Sequence, residues 1–516
     1  MTQINSAASI EWATAVKREH TPLFLSLLVA GQEGSRLKTV TGLPITLTNI
    51  RRRNDALQYD KQQLSNARAY IRSRWREEGT AFFESFAVRC MNSCNATLDT
   101  ARSIRRQAVK NQKLSSGAIK GYLERYFDSV SSHASFLQTV ILVQFELEDY
   151  LRQFVERRCQ TAQMKDHDLI SGQLKIALEP THEVQNGTQL LELGAFVQSQ
   201  VANYRAWIDS DPIDLTTQIA RQYVELWDRI QSYVNKFGWM GRMYYVGPRL
   251  SAIATVMRLQ NILRSECASK LAHVANKRQV ELAAREDAIG KLAGDEESRR
   301  LAAVVSTYMH LRSYRLDIFF IAHDEMLPLW NACVEQLPLS QLDDLPFLTY
   351  EKILDELGGE QDSRHLASTI GARRRGFEFL ATEGQDLHWL TKTAPNREGG
   401  AGGNESGRSV ELNGTSAWPG RVRGRVRIVR QESDVINMEA GEILVATMTM
   451  PSLMLGVEKA AAIVTDEGGM LCHAAIVSRE FDIPCVIGTG SATSSYRTGD
   501  LVDVDADAGV IRTVEG

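Results

Sequence analysis

The chain has 516 residues, of which 43% are hydrophobic and 24% are charged, so it has ample material for a hydrophobic core. Its net charge of −4 and its pI near 6.3 do not favour a general binder of nucleic acid or of anionic membranes. This length is typical of roughly two to four domains.

Cysteine content and the N-terminal segment suggest where the protein works. Seven cysteines in a chain of this length do not make a disulfide framework. Cys90 and Cys94 share a predicted helix, but no second Cys/His pair lies near them in sequence to complete a zinc site. The apolar stretch LFLSLLVAG is too short for a membrane span and follows acidic residues, unlike a signal peptide. We therefore expect reduced thiols, no metal site, no membrane association and a cytoplasmic location.

Residues 1–392 are predicted to form a large, mostly α-helical domain that allows a division into two lobes. Segments such as SFLQTVILVQFELEDYLRQFVERRC and QIARQYVELWDRIQSYVNKFG repeat apolar residues at spacings of three and four. Ala, Leu, Arg, Gln and Glu dominate these segments, and all five are good helix formers. Two arginine runs, at 51–53 and 373–375, are interpreted as solvated helix or loop surface.

The pattern changes after residue 392. Residues 393–409 are rich in glycine and polar side chains and are predicted to be a flexible linker. Residues 410–516 carry strand patterns around a helix: GRVRGRVRIV alternates, GEILVAT, AAAIVTD and IPCVIG are short apolar runs, and DLVDVDADAGVIRTV predicts a hairpin. The expected fold is therefore multidomain, with a large helical domain followed by a small α/β domain.

One stretch of the α/β domain places a histidine where an anion would be stabilised. In TDEGGMLCHAAIVSREFDIPCVIGTG, a buried strand is predicted to stop at Asp466, and Gly468 and Gly469 let the backbone turn sharply. His473 then falls in the first turn of a predicted helix, where free N–H groups and the positive end of the helix dipole favour phosphate. From the residues alone, His473 can bind an anion, carry a phosphoryl group as phosphohistidine, or serve only as a capping or core residue.

The same stretch resembles the swivelling phosphohistidine domain of the phosphoenolpyruvate-utilising enzymes, which include phosphoenolpyruvate synthase, pyruvate phosphate dikinase and rifampicin phosphotransferase. The family pattern is T-x-x-G-G-x-x-x-H-A-A-I-V-x-R-E followed by G-I-P-x-V-x-G. The segment from Thr465 to Gly488 meets this pattern, except that Asp482 stands at the first glycine of the second part. The resemblance implies that His473 is the phosphoryl carrier and that Thr465, Gly468, Gly469 and Arg479 bind phosphate. The family often has Arg-Thr or Met-Thr at the positions of Met470 and Leu471, so Leu471 departs from the usual threonine.

The resemblance also implies a division of labour between chains. No G-x-x-x-x-G-K-[ST] motif occurs, and the N-terminal region lacks the glycine-rich strands of an ATP-grasp domain. We therefore expect no cofactor bound by this chain itself, with ATP and Mg²⁺ supplied through an ATP-grasp partner subunit that loads His473.

The helical region carries a weaker resemblance to the acceptor domain of rifampicin phosphotransferase-like proteins. The segment VNKFGWMGRMYYVGPR is similar to a loop of that domain, with Trp239 standing where a histidine is common. Its side chains suggest a substrate pocket, although core packing accounts for the aromatic ones equally well. The candidate substrate-binding residues here are Phe237, Trp239, Arg242 and Tyr244.

A second group of candidates lies on a predicted helix, HLRSYRLDIFFIAHD. His310 and Asp317 are seven residues apart and share a face, so either is a candidate general base for an acceptor hydroxyl. Arg315 lies nearby in sequence as a candidate substrate ligand. A structural ion-pair network is the alternative for all three.

Together these features predict a phosphotransferase component that carries a phosphoryl group on His473 from an ATP-binding partner to a small organic acceptor on the helical domain. Two alternatives stay open at this stage. One is a non-catalytic binding or regulatory subunit of a phosphoenolpyruvate synthase-like complex. The other is a dikinase-type synthase subunit that yields AMP and phosphate.

Overall fold

In the computed structural model the chain divides into two compact units. The first comprises 1–181, 244–247 and 279–399, and the second comprises 182–243, 248–278 and 400–516. The division assigns part of the helical region to the same unit as the C-terminal residues. The residues that the structure describes are 10–17, 20–53, 56–111, 114–242, 245, 249–359, 365–383, 388–391, 411–429, 434–435, 438–449, 453–466 and 473–514. The predicted linker at 393–409 lies outside them.

The first unit is built around long helices. Helix α5 is the longest, and the Ser115 hydroxyl caps it by accepting from the Ala118 N–H at 3.3 Å. Helices α4, α5 and α12 pack together and bury aromatic and aliphatic side chains between them. The helices that lie entirely in this unit are α1 Pro22–Gln32, α2 Gly34–Thr41, α3 Lys61–Glu78, α4 Thr80–Lys110, α5 Ser116–Thr161, α6 His167–Leu174, α12 Glu296–Glu325, α13 Leu327–Gln336, α14 Tyr350–Gly358 and α15 Leu366–Arg375.

The first unit also contains an antiparallel five-stranded sheet that was not predicted from the sequence. Its order is β1-β3-β2-β4-β5, so a strand near residue 50 pairs with one near residue 380. The strands have four to six residues each, too short to stand out from the surrounding helical pattern. Their bounds are β1 Trp12–Lys17, β2 Ile50–Arg53, β3 Ala56–Asp60, β4 Phe377–Ala381 and β5 His388–Thr391.

The two arginine runs are not simply solvated surface, which corrects that interpretation. Arg52 on β2 is buried, stacks its guanidinium 4.2 Å from the Phe377 ring centroid and donates to the Phe377 carbonyl. Arg373 on α15 lies over the Trp389 ring and donates to the Phe347 carbonyl at 2.8 Å. Burial lowers the pKa of Arg373 to about 10. Both arginines use their apolar surface for packing and their N–H groups for backbone carbonyls.

The second unit contains a group of helices, which we call the helical lobe (residues 182–242 and 249–278). Helices α7, α8, α9 and α10 pack against one another. Its last helix, α11, belongs to this unit up to Arg278. The bounds are α7 His182–Gln200, α8 Pro212–Gln222, α9 Val224–Phe237, α10 Ala252–Ile262 and α11 Cys267–Lys291.

The C-terminal α/β part (411–514) of the second unit contains an eight-stranded sheet, which confirms the predicted α/β architecture. The order is β6-β13-β12-β8-β9-β10-β11-β7, with four parallel strands, β8 to β11, at its centre. Strands β12 and β13 form the predicted antiparallel hairpin. The strands are β6 Glu411–Asn413, β7 Thr415–Trp418, β8 Arg421–Val429, β9 Ile443–Ala446, β10 Ala462–Thr465, β11 Cys485–Ile487, β12 Leu501–Asp505 and β13 Val510–Thr513.

Among the described residues, short helices that cover this sheet are α16 Met454–Lys459, α17 His473–Phe481 and α18 Ala492–Ser495. Helices α16 and α17 are crossovers between parallel strands, and both contribute buried residues to one apolar cluster with β9, β10 and β11. A second cluster contains Val464, Val502 and Ile511. In the part of the chain that the structure describes, no helix combines the length and apolar character needed to cross a bilayer.

Candidate functional site

The carboxyl end of β10 is anchored by a hydrogen-bond network around Asp466. The Asp466 carboxylate accepts from the Thr493 N–H at 3.0 Å and from the Thr489 hydroxyl at 3.3 Å, and it also pairs with the Thr493 hydroxyl. Thr465 is fully buried, and its carbonyl accepts from the Thr489 N–H at 3.1 Å. This network ties the end of β10 to the segment after β11, so the chain leaves the sheet at a defined point.

His473 is the first residue of α17, as predicted. The helix follows β10, so its N-terminus lies at the edge where the parallel strands β9, β10 and β11 end. In open α/β sheets this edge is the usual position of ligand sites. The N–H groups of the first turn have no partners within the helix, so they are suited to a bound anion. Gly468 and Gly469 lie outside the described residues.

Small buried side chains let α17 approach the sheet closely. Ala474 and Ala475 are buried and belong to the same apolar cluster as Ile463 and Cys485. Arg479 lies in the last turn, and its Nε donates to the Ala475 carbonyl at 2.8 Å. Arg479 therefore stands at the opposite end of the helix from His473 in this structure, and its role in phosphate binding stays a prediction.

The aromatic candidates of the helical lobe are packed inside the second unit. Phe237 ends α9, is fully buried and lies 5.1 Å from the Tyr233 ring centroid. Trp239 is buried in the short helical turn Gly238–Gly241, and its Nε1 donates to the Lys236 carbonyl at 3.1 Å. Arg242 is also buried. Tyr244 lies outside the described residues.

His310, Arg315 and Asp317 lie on α12 of the first unit, so they are in a different compact unit from His473. The His310 ring stacks on Tyr314 with 4.8 Å between centroids. Arg315 is buried and donates to the carbonyls of Leu137 and Leu311, a bonding pattern typical of a structural residue. Asp317 is buried as well.

A buried histidine that was not singled out from the sequence contacts α12. The Nε2 of His133 lies 2.7 Å from the Arg315 carbonyl, so this nitrogen carries the proton and donates. Its Nδ1 then accepts from the Ser93 hydroxyl at 3.2 Å. Burial lowers the pKa of His133 to about 4, so the ring is neutral near pH 7. Ser93 lines an open groove of about 420 Å³ between α4 and α5, together with Ala96, Thr97, Thr100, Arg125, Asp128, Ser129 and Ser132.

The second unit also contains a buried ion pair that no local pattern indicated. Arg258 on α10 and Glu458 on α16 have side chains that are 6% and 2% exposed, and they form a salt bridge. Arg258 also donates to the Tyr233 hydroxyl at 2.7 Å and to the Asn186 side-chain oxygen at 2.9 Å. Burial lowers the pKa of Arg258, but the electrostatic attraction of Glu458 and Tyr233 and the hydrogen bonds to them together outweigh burial and raise the pKa overall.

No group of three or more metal-ligating side chains occurs among the described residues. The anchored strand end and the N-terminus of α17 are therefore the parts of the predicted site that the structure defines. What this arrangement can do chemically is to stabilise a phosphoryl group near the first turn of the helix.

Comparison with known proteins places this site within a family. Residues 438–509 match the model of the mobile domain of phosphoenolpyruvate-utilising enzymes. A probable phosphoenolpyruvate synthase of Archaeoglobus fulgidus is 46% identical over 107 residues, covering 21% of this chain and 14% of that protein. The phosphoenolpyruvate synthase of Pyrococcus furiosus is 49% identical over 102 residues, covering 20% of this chain and 12% of that protein.

The similarity extends beyond phosphoenolpyruvate synthases but stays confined to a limited region. Chondramide synthase of Chondromyces crocatus is 43% identical over 125 residues, covering 24% of this chain and 3% of that protein. The chain thus spans only a small part of the length of the curated relatives it matches. A solved structure of Enzyme I aligns with 60% of this chain and 82% of its own, at 16% identity and a TM-score of 0.17, too low to establish a shared fold. The C-terminal α/β part of this chain contains a mobile domain of the phosphoenolpyruvate-utilising enzymes.

Proposed function

We propose that this chain is a phosphotransferase component in which His473 carries a phosphoryl group. The observation that carries the proposal is the position of His473 at the start of α17, at the carboxyl edge of the parallel strands, within the segment that matches the mobile-domain family. The buried alanines behind His473 hold the helix against the sheet. The N–H groups of the first turn, which have no partner within the helix, would stabilise the charge of the transferred group.

The proposed reaction has two steps. A neutral imidazole nitrogen of His473 attacks the phosphorus of a nucleotide bound with Mg²⁺ on a partner subunit. An N–P bond forms, the bond from phosphorus to the bridging oxygen breaks, and the shortened nucleotide leaves. In the second step the hydroxyl oxygen of a small organic acceptor attacks the same phosphorus, the N–P bond breaks, and the acceptor proton passes to a general base.

The acceptor is proposed to bind to the helical part of the chain. Two regions are candidates for this role: the segment of the second unit that contains Trp239 and Arg242, and helix α12 of the first unit with His310 and Asp317. Both regions contain buried polar groups, which are costly unless paired or functional. Asp317 is the candidate base, since an ionised carboxylate can accept a proton.

Phosphorylation of His473 is the direct test. The full chain is incubated with radiolabelled ATP, Mg²⁺ and a nucleotide-binding subunit of the phosphoenolpyruvate synthase type. We expect acid-labile, base-stable label on the wild type, and none on His473→Ala. His167→Ala is the matched control, because His167 lies on the exposed start of α6 in the first unit. Equal labelling of wild type and His473→Ala would overturn the proposal.

The nucleotide product of the same incubation separates two stoichiometries. ADP as the sole product indicates transfer of one terminal phosphoryl group. AMP with free phosphate indicates a dikinase-type step, the alternative that the sequence left open. Either product is compatible with a carrier histidine, so this measurement refines the proposal after His473 labelling has tested it.

A further inference from the structure

The C-terminal α/β part and the helical lobe, both in the second unit, contact each other through buried and specifically paired side chains at three points. At one point of this surface Arg258 of α10 and Glu458 of α16 form the buried ion pair. The Arg258 Nε lies 3.2 Å from one Glu458 oxygen and 3.3 Å from the other. The Asn261 side-chain amide adds a bond to the Glu458 carbonyl at 3.3 Å.

The helical lobe holds Arg258 in place for this contact. The Tyr233 hydroxyl and the Asn186 side-chain oxygen, from α9 and α7, accept two of its N–H bonds. A guanidinium has five N–H donors in a rigid fork, so these bonds fix the direction in which the remaining donors point. Burial of a charged pair contributes little net stability but penalises every arrangement that separates the partners. The ion pair of Arg258 with Glu458 therefore favours one position of the C-terminal α/β part on the lobe.

A second point of contact is the C-terminal end of α17, the helix that begins at His473. Lys277 of α11 donates to the Arg479 carbonyl, lies 4.6 Å from the Trp418 ring centroid and approaches Asp482 at 3.5 Å. His273 also contacts the Asp482 carboxylate at 2.9 Å. Cations are favourable at a helix C-terminus because the last carbonyls carry partial negative charge.

The third point of contact is a close approach between α17 and Gly187 of α7. Phe481, the last residue of α17, packs on Gly187 of α7, where an added Cβ would come within 2.7 Å of the ring. The side chain at position 187 therefore has to be hydrogen for the helix to sit where it does. Three contacts together determine the orientation of α17 on the lobe. They are the ion pair of Arg258 with Glu458, the bond from Lys277 to the end of α17, and the packing of Phe481 on Gly187.

We propose that this surface is a docking site that orients the helix of His473 on the helical lobe, with Arg258 and Glu458 as the positioning pair. The inference deepens the proposed function and rests on it, since it names the residues that position the helix of His473 for delivery of the phosphoryl group. Glu458 and Arg258 act through the placement of α17 and not on the phosphoryl group itself. Docking is then required for delivery to the acceptor and not for loading of His473.

Hydrogen exchange of the full chain tests docking without requiring activity. Glu458→Gln keeps the shape of the side chain but removes its charge, and Gly187→Leu inserts a side chain at an independent point of the surface. We expect amides of α10, α16 and α17 to exchange roughly tenfold faster in both variants, with β12 and β13 unchanged. Gly290→Leu is the matched control, because nothing lies within 4 Å of a Cβ at Gly290 of α11.

Each outcome of this experiment decides the proposal. Faster exchange confined to the contact elements in both variants supports docking. Exchange equal to wild type in either variant overturns it. Faster exchange throughout the unit, including β12 and β13, also overturns it, because the pair would then stabilise the fold without setting a position.

Loading of His473 separates this inference from the proposed function. We expect Glu458→Gln to be labelled from ATP and the nucleotide-binding subunit within about twofold of the wild-type rate, since loading does not use the docked arrangement. A loss as complete as that of His473→Ala would overturn the assignment of Glu458 to delivery. If the wild type itself acquires no label, the proposed function fails, while the exchange result still decides whether the surface is a docking site.

Discussion

The two compact units assemble their sheets from the chain in different ways. In the first unit, β2 near residue 50 pairs with β4 near residue 380, and every neighbouring pair is antiparallel. In the second unit, all eight strands come from 411–513, and the four central ones are parallel. Parallel strands end at a common edge where a following helix can present its N-terminus, whereas an antiparallel sheet has no such edge. This difference explains why the candidate phosphoryl site lies in the second unit.

The difference also bears on how each sheet is stabilised. The hairpin of β12 and β13 in the second sheet closes with a tight turn at Gly509, and the pairing of β2 with β4 in the first sheet joins distant segments, with a contact made by Arg52. Single substitutions can perturb one mode of assembly at a time, and the largest effect is expected at a turn of the second sheet.

Gly509→Val should cause the largest loss, of about 3 kcal/mol or more, in the C-terminal sheet. Gly509 has a φ of 71°, and an added Cβ would lie 2.5 Å from the Gly414 carbonyl oxygen, so the valine meets both backbone strain and a backbone clash. The loss is measured from exchange protection of β12 and β13 amides.

Gly499→Val is the control for that experiment. Gly499 also has a positive φ, of 98°, but a Cβ added at this position would meet nothing within 4 Å. We expect only the strain cost, about 1–2 kcal/mol. Equal losses for the two variants would contradict a role for the close approach of Gly414 in holding the turn.

The first unit should lose stability as pH falls because of His133. Its folded pKa of about 4 lies below the ordinary value of 6.5, so the unfolded state takes up the proton first. The stabilisation is therefore complete above about pH 6.5 and is lost as pH falls towards about 4, by up to about 3 kcal/mol at 1.4 kcal/mol per pH unit. Urea titration across this range measures it.

His133→Asn should flatten that part of the pH dependence, since it removes the titrating ring. An unchanged slope in His133→Asn would show that other groups cause the acid sensitivity.

Arg52→Met should cost about 2 kcal/mol in the first unit and nothing in the second. Methionine keeps much of the packing against Phe377 but loses the charged donor to the Phe377 carbonyl. Arg53→Met is the control, because Arg53 is exposed on the same strand. Exchange protection of β2 and β4 amides measures the effect, and equal losses for the two variants would contradict the role of Arg52 in joining the strands.

Much of the C-terminal α/β part could be predicted because its determinants are local. The apolar runs of β9, β10 and β11, the alternation in β8 and the start of α17 at His473 all follow from neighbouring residues, and the structure confirms them. The family resemblance favoured the phosphoryl-carrier role among the three alternatives that local physics alone left open for His473. Asp466 was visible as the last residue of the strand pattern, but its bonds to Thr489 and Thr493 were not.

Periodicity, turn residues and one family-specific motif were thus enough to place strands β8 to β13, the long helices and the position of His473 at the start of α17. The pairing of β2 with β4, the burial of His133 and the ion pair of Arg258 with Glu458 were decided only in the tertiary structure. Each of these joins residues far apart in the chain, and their partners are selected by how whole helices and strands pack. No short window of sequence contains both members of such a pair, so no local pattern can indicate it.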